Sequence, residues 1–423
     1  MLGMKHIAIA GAGPAGAATA LLLAQRGIKV TLIEKEATFD RAFRGEGLMP
    51  AGLAALYDMG LKEIFDQIAT RRLDAWDFYV GARRRMRVRE PEKAGIATQI
   101  IDQGSLLKAI VQKAQALPNF EFYPGWQIIA LLREENSQES TGQGGRAVKG
   151  VRATCQGQSR DFLADAVIAC DGRYSPLRKL AGLALVRSPS QFDVLWFKLP
   201  APPALATETS FIACLQPHRQ FAFYPSWDGR LQIGWIIEKH SSDQPSPRLA
   251  ELKNRDWIED FAQALPPELA AHFRQHKSEL EGPIYLDVQV GLCPQWSLPG
   301  MLLLGDAAHP MAPNRAQGIN MALRDAIVAV NHLVSDWAKS PAGTVPHAIF
   351  QAIQAERQPE IEAVQKMQLD EWRKVAFLSQ PGLPYWGFKS AITAFGRFSF
   401  AQNIWLHEQK GLREGVLSVR IRV

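Results

Sequence analysis

Residues 11–16 read GAGPAG, and Gly11, Gly13 and Gly16 stand in a G-x-G-x-x-G frame. Such a frame does chemistry only between a strand and a helix. HIAIA, His6 to Ala10, is a short apolar run of the kind that forms a buried parallel strand. Ala17 to Arg26 is rich in Ala and Leu and stops at Gly27, which predicts a helix. KVTLIEK then supplies a second strand ending at Glu34. In this β-α-β unit Gly11 permits the tight turn, Gly13 removes a side chain where a pyrophosphate approaches, and Gly16 lets helix and strand pack closely. The helix N-terminus offers N–H groups and its positive dipole end to phosphates. Glu34 is placed to accept hydrogen bonds from ribose hydroxyls, and an acid there disfavours a 2′-phosphate. Ala15 and Lys35 complete the nucleotide-contacting set of this unit. The expected ligand is a dinucleotide, FAD or NAD(P).

Two distant segments bear on which. DAVIACDGRYSPLRKLAG predicts a buried strand over Ala166 to Cys170, a turn at Asp171-Gly172, and a helix begun by Ser175 with Arg178 just inside it. GMLLLGDAAHPMAPNRAQGINMALRDAIVAVNHL predicts a strand over Met301 to Leu304 that ends at Gly305-Asp306. A loop then leads to a helix from about Gly318, which carries Asp325 among apolar residues at helical spacing. Taken singly, Asp171 and Asp306 read as turn residues at strand ends, Arg178 as a surface helix residue, and His309 as a cap or loop residue rather than a catalytic base.

Taken together and in this order, the three motifs resemble those of the FAD-dependent monooxygenases of the para-hydroxybenzoate hydroxylase type, which include ubiquinone-pathway hydroxylases. The third motif of that family, GDAAH-x-x-x-P-x-x-G-x-G-x-N, is matched by Gly305, Asp306, Ala307, Ala308, His309, Pro313, Gly318 and Asn320. The resemblance implies that Asp306 hydrogen-bonds a ribityl hydroxyl of FAD. It also implies that the helix start at Gly318, Ile319 and Asn320 faces the flavin pyrimidine carbonyls, where reduced flavin carries negative charge. Pro313 is expected beside the isoalloxazine face where oxygen reacts, and is the one residue given a catalytic place. Asp171 is expected to hold FAD indirectly and assist NAD(P)H engagement. Arg44, in FRGEGLMP, matches an arginine near the FAD phosphates of relatives, and Gln103 stands where many relatives have an arginine before a helix. The first glycine of the family's G-x-G is Ala316 here, a costly residue if that backbone needs a positive φ.

The elements that must position these residues form an α/β fold. A Rossmann-like FAD-binding domain is expected over residues 1–75, 100–185 and 281–345, with an antiparallel β-sheet substrate domain over 76–99 and 186–280 and a helical C-terminal region over 346–423. VLWFKL, TSFIACL, QFAFYPSW and LQIGWII read as strands of the substrate sheet, with Phe223, Tyr224 and Trp235 as candidate cavity residues whose alternative is sheet packing. NFEFYPGWQIIALL reads as a strand pair and ENSQESTGQGGR as a surface hairpin loop.

The chain has 423 residues, 47% of them apolar, and a formal charge of +6, which suits two or more globular domains. The basic run Arg83 to Arg89 reads as a solvated strand edge, and no nucleic-acid partner is expected. Cys155, Cys170, Cys214 and Cys293 form no C-x-x-C pair, so no metal site is expected and a reducing cytoplasm fits. No cleavable signal and no bilayer-spanning run is read. The aromatic, acid-poor stretch around Lys389 and Arg397 leaves peripheral membrane contact open as an alternative to core packing.

The expected activity is hydroxylation or epoxidation of an aromatic or lipophilic small molecule, with NADPH or NADH as reductant and oxygen activated at the flavin C4a position. No G-x-S-x-G elbow, HExxH helix or W-x-W-x-I-P halogenase segment is present. The alternatives are a flavin-dependent reductase of the geranylgeranyl type and a non-catalytic FAD-binding protein. Substrate, nicotinamide preference and oligomeric state are left open.

Overall fold

Short runs of aliphatic residues build a six-stranded sheet in the order Ser297–Leu298, Met301–Leu303, Ala166–Ala169, His6–Ala10, Lys29–Glu34, Phe120–Pro124. This is a computed structural model, and it describes residues 5–40, 46–93, 95–134, 147–188, 192–238, 252, 255–338 and 343–423. All pairings are parallel except the hairpin at the Ser297–Leu298 edge. The inner strands are buried on both faces, which is why they lack a polar alternation. Helices Pro14–Gln25, Gln103–Gln115 and Gln317–His332 pack together on one side. On the other side lies a three-stranded sheet of Gln127–Arg133, Val148–Cys155 and Gln158–Leu163, whose Val151, Ala153 and Phe162 join the same core. Helix Pro14–Gln25 has no polar stripe because Ala15 through Ala24 are all covered. It begins three residues before the expected Ala17, with Pro14 at its first position, where a missing N–H costs nothing.

The second sheet has seven strands in the order Glu281–Leu286, Phe192–Pro200, Arg230–Glu238, Arg219–Pro225, Ser210–Gln216, Ala75–Val80, Arg84–Arg89. The pairing of Ala75–Val80 with Ser210–Gln216 is parallel; the rest are antiparallel. The basic run is thus an edge strand. On one face Leu195, Phe197, Ile212, Phe221, Phe223, Ile233 and Trp235 bury against Trp257, Phe261 and Phe273 of helices Trp257–Ala262 and Pro267–Gln275. The opposite face turns toward the central-sheet loops and three C-terminal helices, His347–Leu378, Leu383–Phe395 and Ser399–Glu414.

Two local expectations change. Phe120–Pro124 and Gln127–Arg133 are not partners: the first closes the six-stranded sheet and the second enters the three-stranded one. The C-terminal region is helical through Glu414 rather than in its first half alone. The stretch 135–146 lies outside the described residues. No disulfide joins the four cysteines.

Candidate active site

The first turn begins where Gly11, at φ +95, donates its N–H to the Ile33 carbonyl at 2.7 Å. A side chain at Gly11 would put its Cβ 2.4 Å from the Cys170 carbonyl oxygen, and one at Gly16 would meet the Gly11 oxygen at 1.9 Å. A Cβ at Gly13 would meet nothing within 4 Å, so open space lies over the point where a phosphate would approach. The helix N–H groups of Ala15 and Gly16 have no intrahelical acceptor. Glu34 is buried, and its two carboxylate oxygens accept from the Ala12 N–H at 2.6 Å and the Glu36 N–H at 3.0 Å. That leaves further lone pairs for hydroxyl donors. Lys35 points outward and pairs with Glu36 at 3.5 Å.

The Asp-Gly loop is held from within. Asp171 accepts from the Ser175 hydroxyl at 2.5 Å and the Leu177 N–H at 2.9 Å, and so anchors the start of helix Pro176–Leu180. Burial raises its carboxyl above the ordinary range, against the pull of those two donors. Arg178 is not a surface residue. It is buried, and its guanidinium donates to the Ala307 carbonyl at 2.7 Å and the Arg173 carbonyl at 2.9 Å. The Asp-Gly loop is therefore bolted to the Gly-Asp loop.

Gly305, at φ +60, brings that third loop against the first, because a Cβ there would lie 3.2 Å from the Ala15 methyl. Asp306 keeps its carboxylate 29% exposed, with the Arg173 guanidinium at 3.9 Å. Desolvation in the cleft raises its proton affinity, and Arg173 opposes the rise. A Cβ at Gly318 would lie 3.7 Å from Asp306 Oδ1, so Asp306 and the start of helix Gln317–His332 share one wall. Asn320 is wholly buried; it accepts from the Met49 N–H at 2.9 Å and donates to the Ala316 carbonyl at 2.7 Å. It fixes the loop that carries Pro313 instead of pointing into open space. Gln103 is buried at the start of helix Gln103–Gln115, behind the Asp102 cap. Arg44 lies outside the described residues.

Arg315 and Ala316 both sit in the left-handed region, at φ +58 and +50. Such a conformation costs a non-glycine residue about 1–2 kcal/mol. The surroundings hold it in place. Arg315 lies over the Trp76 and Trp405 rings, at 4.7 and 5.1 Å, and its Nε donates to Glu371 at 2.9 Å. Gln368 donates to the Ala312 and Asn314 carbonyls at 2.9 and 2.6 Å. The loop around Pro313 is thereby gripped by the C-terminal helices.

Two features had no clear sequence signal. His309 shares a 2.7 Å hydrogen bond with Asp325, which also takes the Arg357 guanidinium at 2.7 Å and the Gly305 N–H at 3.1 Å. Burial works against the Asp325 charge, but His309 and Arg357 hold its carboxyl down to about 2. Glu360 joins Arg357 and Arg324 to the same buried network. Glu46 lies where the short strand Gly47–Leu48 meets the large sheet. Its carboxylate accepts from the Ser226 hydroxyl at 2.7 Å, with Lys198 at 3.9 Å, and burial raises its pKa to about 7 despite both. Among the candidate cavity aromatics, Phe223 and Trp235 pack on the far face under the two short helices, and Tyr224 alone faces inward, stacked on Phe211 at 5.6 Å. Among the described residues no group of His, Cys, Asp and Glu could hold a metal ion.

A dinucleotide turn, a distal acid and a Gly-Asp loop closing over a helix N-terminus define a flavin-dependent oxidoreductase. Open space at Gly13, the spare acceptor capacity of Glu34 and the partly exposed Asp306 beside Gly318 are of a kind that could receive the pyrophosphate, ribose and ribityl parts of FAD. Residues 4–367 match the FAD binding domain family, and the chain belongs to it. It is 31% identical over 372 residues to 6-methylpretetramide 4-monooxygenase of Streptomyces rimosus, covering 87% of this chain and 83% of that protein. It is 26% identical over 357 residues to 3-demethoxyubiquinol 3-hydroxylase of Escherichia coli strain K12, covering 79% and 83%. The fold is similar to the p-nitrophenol 4-monooxygenase PnpA of Pseudomonas putida DLL-E4, with a TM-score of 0.77, 16% identity and coverage of 99% and 100%. The protein is a FAD-dependent monooxygenase with NAD(P)H as co-substrate. Neither the reductase nor the non-catalytic alternative is favoured.

Proposed function

We propose that this monooxygenase inserts one oxygen atom into an aromatic or lipophilic small molecule bound between the Pro313 loop and the inner face of the seven-stranded sheet. The observation that carries the reading is the meeting of three loops remote in sequence: Gly11 against Cys170, Ala15 against Gly305, and Arg178 on the Ala307 carbonyl. In this reading Gly13, Ala15 and Gly16 receive the pyrophosphate, Glu34 the ribose and Asp306 the ribityl chain. The N–H groups at Gly318 and Ile319 stabilise negative charge on the pyrimidine ring. When bound, FAD takes electrons from NAD(P)H and activates oxygen.

The chain's own residues orient and enclose. Pro313 contributes a rigid, donor-free surface beside the reacting ring. Asn320, Gln368 and Glu371 hold its loop, and the C-terminal helices exclude water from the chamber. Asp171 acts through Ser175, Leu177 and Arg178 as a positioning residue. Incorporation of labelled oxygen from O2 into a phenol or polyketide substrate, dependent on NAD(P)H, is the expected result; NAD(P)H-driven alkene reduction without oxygen uptake would replace it with the reductase reading.

Peripheral lipid contact is part of the same proposal. Phe395, Phe398 and Phe400 cluster where helix Leu383–Phe395 gives way to Ser399–Glu414, with Arg397 beside Phe398, and Leu383 (89% exposed) and Trp386 (58%) lie toward the other end of the first helix, with Lys389 over the Trp386 ring. Apolar side chains with flanking cations suit an anionic leaflet. Among the described residues no helix is long and apolar enough to cross a membrane. Flotation with phosphatidylglycerol vesicles, abolished by Trp386→Ser with Phe400→Ser, is the expected outcome; a protein that stays at the bottom of the gradient refutes the contact.

A further inference from the structure

After helix Ser399–Glu414 the chain turns at Gly415, and residues 416–423 lie as a strap across the helices behind the Gly-Asp loop. The side chains of the strap alternate: Val419, Ile421 and Val423 pack on the main core, while Arg420 and Arg422 face solvent. Its backbone makes the more specific contacts. The Val416 and Leu417 N–H groups donate to Glu360 Oε1 at 2.8 and 3.1 Å, and the Leu417 carbonyl accepts from Arg324 at 2.6 Å. The Val416 and Leu417 side chains themselves stay exposed, so this stretch is held by its amides. Further along, Asn331 donates to the Arg420 carbonyl and accepts from the Arg422 N–H, each at 2.8 Å, and Asp58 accepts from the Ile421 N–H. Arg324 and Asn331 both belong to helix Gln317–His332, so the strap follows about two turns of it.

From Glu360 a buried file of charges leads inward. Arg324 donates to both of its carboxylate oxygens, at 2.7 and 3.0 Å, and Arg357 donates to Oε2. Arg357 also donates to Asp325 at 2.7 Å, and Asp325 accepts from the Gly305 N–H at 3.1 Å. Two acids thus alternate with two arginines between the strap and the loop that carries Asp306. All four side chains are buried, and a buried charge is tolerated only when it is paired. The turn that delivers the strap is equally constrained. Gly415 sits at φ +82 and ψ 162, a conformation all but confined to glycine. A Cβ there would stand 3.0 Å from Arg324 Nη2 and 3.1 Å from Glu360 Oε1, so a side chain would wedge the strap away from the pair.

We propose that Glu360, capped by residues 416–423, is a positioning residue for FAD. It touches no part of the cleft. Through Arg357 and Asp325 it fixes the Gly305–Asp306 loop, and through Arg324 it fixes helix Gln317–His332. The two are thereby held at one register, so that Asp306 and the helix start at Gly318 meet the ribityl chain and the pyrimidine ring together. The strap completes the file from outside, because its amides supply the Glu360 donors that no side chain provides. This role deepens the proposed function and rests on its placing of FAD against Asp306 and Gly318.

The test uses the full-length FAD-loaded protein and the variants Glu360→Gln, Gly415→Val and Arg26→Ala. Glu360→Gln turns an amide donor toward an arginine, and Gly415→Val displaces the strap from the pair. Arg26 grips only the far part of the strap, donating to the Val423 main-chain oxygen at 3.1 Å, so its loss loosens the strap and leaves the charged file whole. FAD release is followed by the rise of free-flavin fluorescence on dilution, and the setting of the bound flavin by its visible circular dichroism. Urea unfolding of the same samples reports stability separately. Glu360→Gln is expected to speed release about tenfold and Gly415→Val about fivefold, both with an altered flavin band. Arg26→Ala is expected to stay within about twofold of wild type whatever stability it loses. If Glu360→Gln does not fold, Gly415→Val decides. Wild-type release rates and flavin bands in the folded variants, or release from Arg26→Ala as fast as from Gly415→Val, would overturn the positioning role and leave only a structural tie. A wild-type protein that takes up no FAD would instead overturn the placing of the cofactor on which the role rests.

Discussion

Replacing Glu46 by glutamine should make the protein more stable at pH 8 and leave it nearly unchanged at pH 4.5. The carboxyl is buried, accepts one hydrogen bond from Ser226, and has Lys198 at 3.9 Å, while Asp228, Asp102 and Tyr224 face the same region. Burial dominates and raises its pKa from 4.5 to about 7. The folded state thus binds a proton more tightly than the unfolded chain does. Stability from this group is complete below about 4.5, declines as pH rises, and is gone above about 7. At about 1.4 kcal/mol per pH unit the interval is worth about 3 kcal/mol. Glutamine keeps an acceptor for Ser226 and never ionises, so its own contribution is level across the window. The assay is urea unfolding of wild type and Glu46→Gln at half-unit steps from pH 4.5 to 8.5, with the difference between the two curves as the readout. That difference cancels the contribution of every other group that titrates with pH. A difference that stays within about 0.5 kcal/mol across the range would show that Glu46 is ionised in the folded state and that its burial has been misjudged.

Further outcomes follow from the same contacts. Arg357→Met removes the cation shared by Asp325 and Glu360, both fully buried, and should destabilise the fold by about 3–5 kcal/mol in urea unfolding; a loss under about 1 kcal/mol would mean that the network is not paired as described. Ala316→Gly relieves a left-handed alanine at φ +50. Against the greater chain freedom of glycine when unfolded, it should still gain about 0.5–1 kcal/mol, read from the urea midpoint; a loss of stability would place that backbone elsewhere.

Much of the geometry of the first turn was legible because its constraints are local. Gly11 and Gly16 are demanded by backbone approaches under 3 Å, and Glu34 closes the same β-α-β unit. The face choice in the large sheet was not legible. Alternation separates Phe223 and Trp235 from Tyr224, but nothing local says that helices Trp257–Ala262 and Pro267–Gln275 cover the first pair. Arg178 looked like a solvent-facing cation because its acceptor, the Ala307 carbonyl, is 129 residues away. The buried Asp325–Arg357–Glu360 network was hidden for the same reason, since its charges resemble the polar stripes of two surface helices until helix His347–Leu378 packs on Gln317–His332. Ala316 carried a clear sign: an alanine where relatives have glycine does stand at positive φ, and the grip of Trp76, Trp405 and Glu371 on neighbouring Arg315 shows what holds it there.

Asp306 and Asp171 are both raised carboxyls at strand ends, yet only Asp306 turns a free edge toward the cleft, whereas Asp171 is spent on Ser175 and Leu177. The flavin-to-protein ratio of purified Asp306→Ala and Asp171→Ala, set against wild type, separates direct contact from support. Wild type should carry one FAD per chain, Asp306→Ala should lose most of it, and folded Asp171→Ala should retain more. A colourless wild-type protein that cannot be reconstituted, or full flavin in both variants, would contradict FAD held by these converging loops.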